Sequence, residues 1–66
     1  MSLLVLRQDN AKIGDLAFDN VLNEQIELVD QIKTKSRSDS YWIAKDQNNK
    51  LILVNERDLI EIGYYS

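Results

Sequence analysis

One stretch decides the fold: residues 40–55 read SYWIAKDQNNKLILVN. Two runs rich in β-branched, aromatic and other apolar residues flank a polar segment, a pattern that is typical of two strands joined by a turn. The turn falls near Gln47-Asn48-Asn49, because asparagine adopts positive φ readily. The stretch therefore predicts a β-hairpin.

The two strands of this hairpin differ in pattern. In the first strand, Tyr41 and Ile43 point to one face and Trp42 to the other, and we expect Ile43 to lie in the core. In the second strand, residues 51–54 form a continuous apolar run, which is typical of a strand covered on both faces. A lone sheet would leave one side of this run exposed, so a homodimer is one way to cover it.

The residues around the hairpin predict further short elements. Asn55 is suited to cap a single 3₁₀ turn near residues 55–59, and the alternation in residues 60–64 suits a last strand. At the other end, residues 1–7 predict a first or edge strand. Gly14 lies where a bend or bulge is easiest.

The segment before the hairpin is ambiguous. Apolar residues recur there at helical spacing without a proline or glycine, which allows an α+β fold with a helix near residues 19–33. Against a helix, Asn20 and Asn23 suggest a turn, and several later apolar residues share a strand face. We expect a strand. The residues of the shared face are Ile26, Leu28 and Ile32.

Length and composition exclude several classes of protein. We expect the 66 residues to form a single small domain, which buries only ~60% of its unfolded surface and leaves little core for enclosing a substrate. Cysteine and histidine are absent, which removes disulfides, thiolate metal sites and the commonest general base. We therefore expect a non-enzyme without cofactor or metal. The expected core is Phe18, Ile26, Leu28, Ile43, Val54 and Leu59.

Charge and the start of the chain bear on partners and location. A net charge of −3 and a pI of about 4.7 argue against a surface devoted to phosphate binding. The apolar run at residues 3–6 is short, with no basic residue ahead of it and no small-residue cleavage site. It predicts neither a signal peptide nor a membrane span, so we expect a cytoplasmic protein.

The order of these signals resembles that of SH3-like β-barrels, especially small bacterial and prophage modules and domains of the KOW type. Residues 13–16 (Ile-Gly-Asp-Leu) match the hydrophobic-Gly-Asp turn of such barrels, and residues 25–35 match their long bent strand. A hairpin with an aromatic start and a one-turn 3₁₀ helix at residues 55–59 complete the match. The resemblance implies an all-β barrel of about five antiparallel strands, with its core over residues 12–62.

The resemblance transfers a fold and no ligand residues. Leu16-Ala17-Phe18-Asp19 only faintly echoes the start of signalling SH3 domains, and Asn23-Glu24 stands where KOW domains place a glycine. The proline-peptide function of SH3 domains is therefore not carried over.

A basic stripe beside aromatic residues is one candidate site. Lys33 and Lys35 share a face if their segment is a strand, and Arg37 follows them close to Tyr41 and Trp42. Aromatic stacking stabilises bound single-stranded nucleic acid by ~1–3 kcal/mol per base. The stripe predicts a nucleic-acid-binding accessory domain, although three cations in a chain with eleven acidic residues are more typical of a solvated surface.

Aromatic residues that remain exposed are the other candidate site. Tyr41 and Trp42 start the hairpin, and Tyr64 and Tyr65 lie near the end of the chain. Rings of this kind commonly anchor protein interfaces, and edge strands accept partner strands. With the acidic balance of the chain, they favour a non-catalytic interaction or accessory module that binds a protein partner. Nucleic-acid binding is the alternative.

Overall fold

The fold is a single antiparallel β-sheet, described in a computed structural model over residues 2–33 and 40–66. Its strands are β1 (Leu4–Leu6), β2 (Leu16–Asp19), β3 (Glu24–Lys33), β4 (Ser40–Lys45), β5 (Leu51–Asn55) and β6 (Leu59–Tyr65). They lie in the order β1-β6-β2-β3-β4-β5. The helical structure of the described residues consists of one 3₁₀ turn, Glu56–Asp58. The all-β prediction is confirmed, and the α+β alternative is wrong.

The sheet is not closed into a barrel. β2 pairs with β3, β3 with β4 and β4 with β5, and β6 returns to pair with β2. β1 lies outside β6, so β1 and β5 are the two edges. The sheet has six strands where about five were predicted for the barrel. β1, which lies before the predicted barrel core, is the edge strand predicted at the start of the chain.

A tight turn after β2 explains why a helix does not form. The backbone amides of Val21 and Leu22 donate to the Asp19 carboxylate, at 2.8 and 3.1 Å. Asn23 has a φ of 59°, and its amide donates to the Asp19 carbonyl at 2.7 Å. These bonds offer the backbone an alternative to helical hydrogen bonds, so the chain reverses and enters β3.

A register shift exchanges the faces of the two halves of β3. Leu28 lies opposite Ala44, but Asp30 lies opposite Ile43, so β3 carries one extra residue between these pairs. Leu28 is fully buried, whereas Ile32 is exposed. The predicted common face therefore ends at Leu28, and the prediction is wrong for Ile32.

The hairpin predicted over residues 40–55 is present, with β4 and β5 paired in one unbroken register. In its turn, the Asp46 carboxylate accepts hydrogen bonds from the amides of Asn48 and Lys50, at 2.8 and 2.9 Å. Asn49 has a φ of 66°. An asparagine thus supplies the positive φ, as expected.

The core is centred on Trp42. Its side chain is fully buried, and it packs with residues from β2, β3, β5 and β6. The prediction that Ile43 lies in the core is wrong, because β4 turns its other face inward and leaves Ile43 half-buried. Phe18 is also half-buried, since β2 buries Ala17 instead. The buried apolar cluster is Ala17, Ile26, Leu28, Trp42, Ala44, Val54 and Leu59.

The last strand is irregular and closely packed. Its register against β2 shifts near Glu61, which has a φ of 52°. Gly63 is buried, and a Cβ atom there would collide with the backbone carbonyl of Val5 in β1. Glycine at this position therefore allows β1 to pair with β6.

The 3₁₀ turn forms where it was predicted. The Asn55 side-chain oxygen accepts a hydrogen bond from the Arg57 amide at 3.1 Å and so caps the turn. The turn leads directly into β6. Across residues 2–33 and 40–66, no helix is both long and apolar enough to span a membrane.

Candidate protein-binding groove

A groove of about 430 Å³ lies between the turn after β2, strands β4 and β5, and the 3₁₀ turn. We call it the edge groove, because β5 is an edge of the sheet. Its apolar lining consists of Val21, Leu22, Tyr41, Ile52, Leu53 and Val54. Its polar lining consists of Asp19, Asn55 and Asp58. Lysine and arginine are absent from this lining in the described part of the chain.

Several apolar side chains of the edge groove are left in water. Val21 is 72% exposed and Leu53 is 62% exposed, and Leu22 is also exposed. Exposed apolar residues that adjoin one another, bordered by polar groups, mark interaction surfaces more often than scattered ones do. The groove can therefore bury apolar area when a ligand occupies it.

Hydrogen bonds hold in place the two turns that border the edge groove. The Asn20 amide donates to the Asp58 carbonyl at 2.8 Å, which joins the turn after β2 to the 3₁₀ turn. The Asp19 carboxylate accepts hydrogen bonds within the turn after β2. Asn55 caps the 3₁₀ turn. Both turns are thus ordered before a ligand binds, which lowers the entropy cost of binding.

The four aromatic residues expected to contact a partner do not form one site. Tyr41 lines the edge groove. Trp42 is a core residue rather than a contact residue, because β4 presents this face to the inside of the sheet and no part of the indole reaches the surface. Tyr64 and Tyr65 are exposed on β6, which β2 and β3 separate from β4.

A charged cluster lies where β1 ends and β2 begins. Arg7 Nε donates to the Asp15 carboxylate at 2.5 Å, and the Lys12 amide donates to the same oxygen at 2.9 Å. The Arg7 guanidinium also lies over the Tyr64 ring, 4.8 Å from its centroid. Asp15 is buried. The cluster therefore fixes the start of β2 and covers one side of Tyr64.

Electrostatics keep the Arg7 and Asp15 pair charged. Burial raises the pKa of the Asp15 carboxyl, but the hydrogen bonds from Arg7 and the Lys12 amide, with the nearby positive charges, outweigh burial and hold that pKa below its ordinary value. The hydrogen bond to Asp15 raises the pKa of Arg7. These groups are satisfied by one another, which indicates a structural role.

The predicted basic stripe is only partly described. Lys33 is exposed at the end of β3, whereas Lys35 and Arg37 lie outside the described residues. Trp42 cannot supply a stacking surface to this stripe, because it is buried. The nucleic-acid site stays a prediction. In the described ranges, no group of three or more His, Cys, Asp or Glu side chains is placed to hold a metal ion.

Sequence reasoning missed Val21, Leu22 and Asp58 as site residues. A signal was present for the first two, since two adjacent apolar residues lie between the asparagines of a predicted turn, where side chains seldom reach a core. Asp58 gave no signal, because its place in the groove depends on the contact between the 3₁₀ turn and a turn distant in sequence.

Comparison with known proteins adds no family to these observations. The chain matches no protein-family model, no curated protein and no solved structure.

Proposed function

We propose that the protein is a non-catalytic, cytoplasmic interaction module that binds a protein partner in the edge groove. The lining of the groove carries this proposal, because it combines exposed apolar side chains with two carboxylates, Asp19 and Asp58. The partner is a protein segment that presents apolar side chains next to a lysine or arginine.

Each part of the lining has a role in this binding. The apolar walls provide affinity, at roughly 25 cal/mol for each Å² of apolar area removed from water. Tyr41 offers a rigid ring of the kind that anchors interfaces. The acidic residues select a basic segment and speed its approach, since complementary charge contributes to specificity and association rate more than to affinity.

The order of elements supports the further proposal that the module is SH3-like and of bacterial or prophage origin. The bent β3, the hairpin with an aromatic start and the 3₁₀ turn before the last strand follow one another as they do in the barrels that the sequence resembles. The open sheet is a structural feature in which this chain differs from them.

Selection from a random peptide library tests the proposed function, with the purified chain as bait. We expect the selected peptides to combine apolar residues with lysine or arginine. On titration with such a peptide, amide chemical shifts should change most at Val21, Leu22 and Asp58. Shift changes confined to other parts of the sheet would refute binding in the edge groove.

Variants sharpen the peptide test. Val21→Glu should weaken peptide binding about tenfold or more, because it places a charge in the apolar wall. Ile13→Glu is the matched control, since Ile13 is 64% exposed in a different turn and lies outside the groove. Asp58→Asn should weaken binding only for peptides that carry a basic residue. Equal losses for the variants at 13 and 21 would contradict the proposal.

Nucleic-acid binding is tested on the same protein. Affinity for labelled single-stranded DNA or RNA that falls steeply and linearly on a log–log plot against salt would indicate counterion release. If changing Lys33, Lys35 and Arg37 together to glutamate abolished that affinity and left the fold intact, nucleic-acid binding would replace the proposed function.

A further inference from the structure

The free edge of β5 lacks the usual protection of an edge strand. Among the described strands, β5 pairs with β4 alone. Natural edge strands are commonly blunted by proline, by a bulge, by a charge within the strand or by very short length. β5 consists of Leu51–Asn55, contains no proline or charged residue, and keeps one register along its length.

β5 also carries exposed apolar side chains, which would be stabilised if a partner buried them. Leu51 is 58% exposed and Leu53 is 62% exposed. Across the ladder, Leu53 lies opposite Ile43, which is only half-buried. The face of the sheet next to the free edge of β5 is thus apolar.

The sequence of this edge complements itself. Residues 50–56 read KLILVNE. If two copies of β5 pair antiparallel so that all of residues 51–55 overlap, Leu53 lies opposite Leu53 of the second copy. Lys50 directly precedes the strand and Glu56 directly follows it, so the same register brings Lys50 close to Glu56 of the second copy, and the two-fold axis produces that pair twice. Full overlap of the strand and opposite charges at both of its ends therefore occur in one arrangement.

We propose that β5 pairs antiparallel with β5 of a second copy of this chain, so that one continuous sheet runs through a two-fold dimer. The backbone groups of the free edge then find partners, and the exposed leucines pack across the axis. This goes beyond the proposed function. Although Leu53 also lines the edge groove, Lys50, Leu51 and Glu56 do not, and they separate the two proposals.

Sedimentation equilibrium over a range of protein concentrations tests the dimer. We expect wild-type protein to approach twice its monomer mass of 7.7 kDa. Lys50→Glu or Glu56→Lys alone should weaken association about tenfold or more, because each puts like charges opposite one another at both ends. Circular dichroism and thermal unfolding verify that each variant is folded.

A charge exchange makes the test specific for this register. The double variant with Lys50→Glu and Glu56→Lys should dimerise like wild type, and an equimolar mixture of the two single variants should form heterodimers. Leu51→Asp should also weaken association, while Ile13→Asp should not. Wild-type protein that remains monomeric at every concentration would overturn the proposal. A dimer that none of the charge changes affects would overturn it as well.

Discussion

Trp42 is the side chain on which the core most depends. It is the largest fully buried side chain among the described residues, so Trp42→Ala should lower the free energy of unfolding by about 3–5 kcal/mol. That loss is a large part of the stability of so small a domain. Urea denaturation followed by circular dichroism measures it.

Two comparisons check this position of Trp42. Tyr65→Ala removes an aromatic ring that is 53% exposed, and should change the free energy of unfolding by less than about 0.5 kcal/mol. Trp42 is the single tryptophan of the chain, so acrylamide should quench the fluorescence of the folded protein weakly and that of the unfolded protein strongly. Strong quenching in the folded state would place Trp42 at the surface.

Asp15 should make the folded state sensitive to acid. Its pKa in the folded protein is held below the ordinary value, which is about 3.9 for an unfolded chain. The carboxylate therefore contributes stability above that value, and the contribution is lost as the pH falls through the lower folded pKa. Compared with wild type, Asp15→Asn should be less stable near neutral pH and should lose less stability on acidification below about pH 4.

A double-mutant cycle assigns this effect to the pair with Arg7. Arg7→Gln should reproduce much of the effect of Asp15→Asn, and the combined variant should be little worse than either one. The measurement is urea denaturation at a series of pH values. Parallel stability curves for wild type and Asp15→Asn would show that the carboxylate has the same pKa in both states.

Among the strands, the contact of β6 with β1 depends on Gly63. Gly63→Ala would push a methyl group against the Val5 carbonyl, so we expect a loss of about 1–3 kcal/mol from overpacking. Amide hydrogen exchange should become faster first at Val5 and its neighbours in β1, because the added methyl group pushes β1 away from β6 and weakens the hydrogen bonds between them. Tyr65→Ala in the same strand is the control. Unchanged protection of β1 in the Gly63 variant would contradict this packing.

The sequence predicted the positions of strands and turns better than it predicted which face of each strand is buried. The turns around Asn23 and Asn49 are encoded by residues within a few positions, and so is the cap at Asn55. The buried face of β4 depends instead on which side the rest of the sheet covers. Trp42 and Ile43 are both apolar, so alternation could not choose between them. The bulge in β3 likewise has no local mark in the sequence.

For the molecule as a whole, the fold class depends on local signals, whereas the site depends on contacts between residues that are far apart in the sequence. The all-β class follows from local signals spread along the chain, whereas the open sheet does not. The edge groove requires turns that are far apart in sequence to meet, as Asn20 and Asp58 do. Exposure of Leu51 and Leu53 arises from the strand order, which leaves β5 at an edge. Composition cannot reveal which strand ends a sheet.

The return of β6 to β2 also sets the order in which the chain can fold. Strands β2 to β5 pair with sequence neighbours and close short loops, whereas β6 pairs back to Leu16 and Asp19, and β1 pairs only with β6 in the described sheet. Loop-closure entropy grows with length, and long-range pairing is slow. During synthesis, β1 leaves the ribosome before β2 to β5, whereas its partner β6 leaves after them. The apolar residues of β1 therefore stay unpaired until β6 has been made.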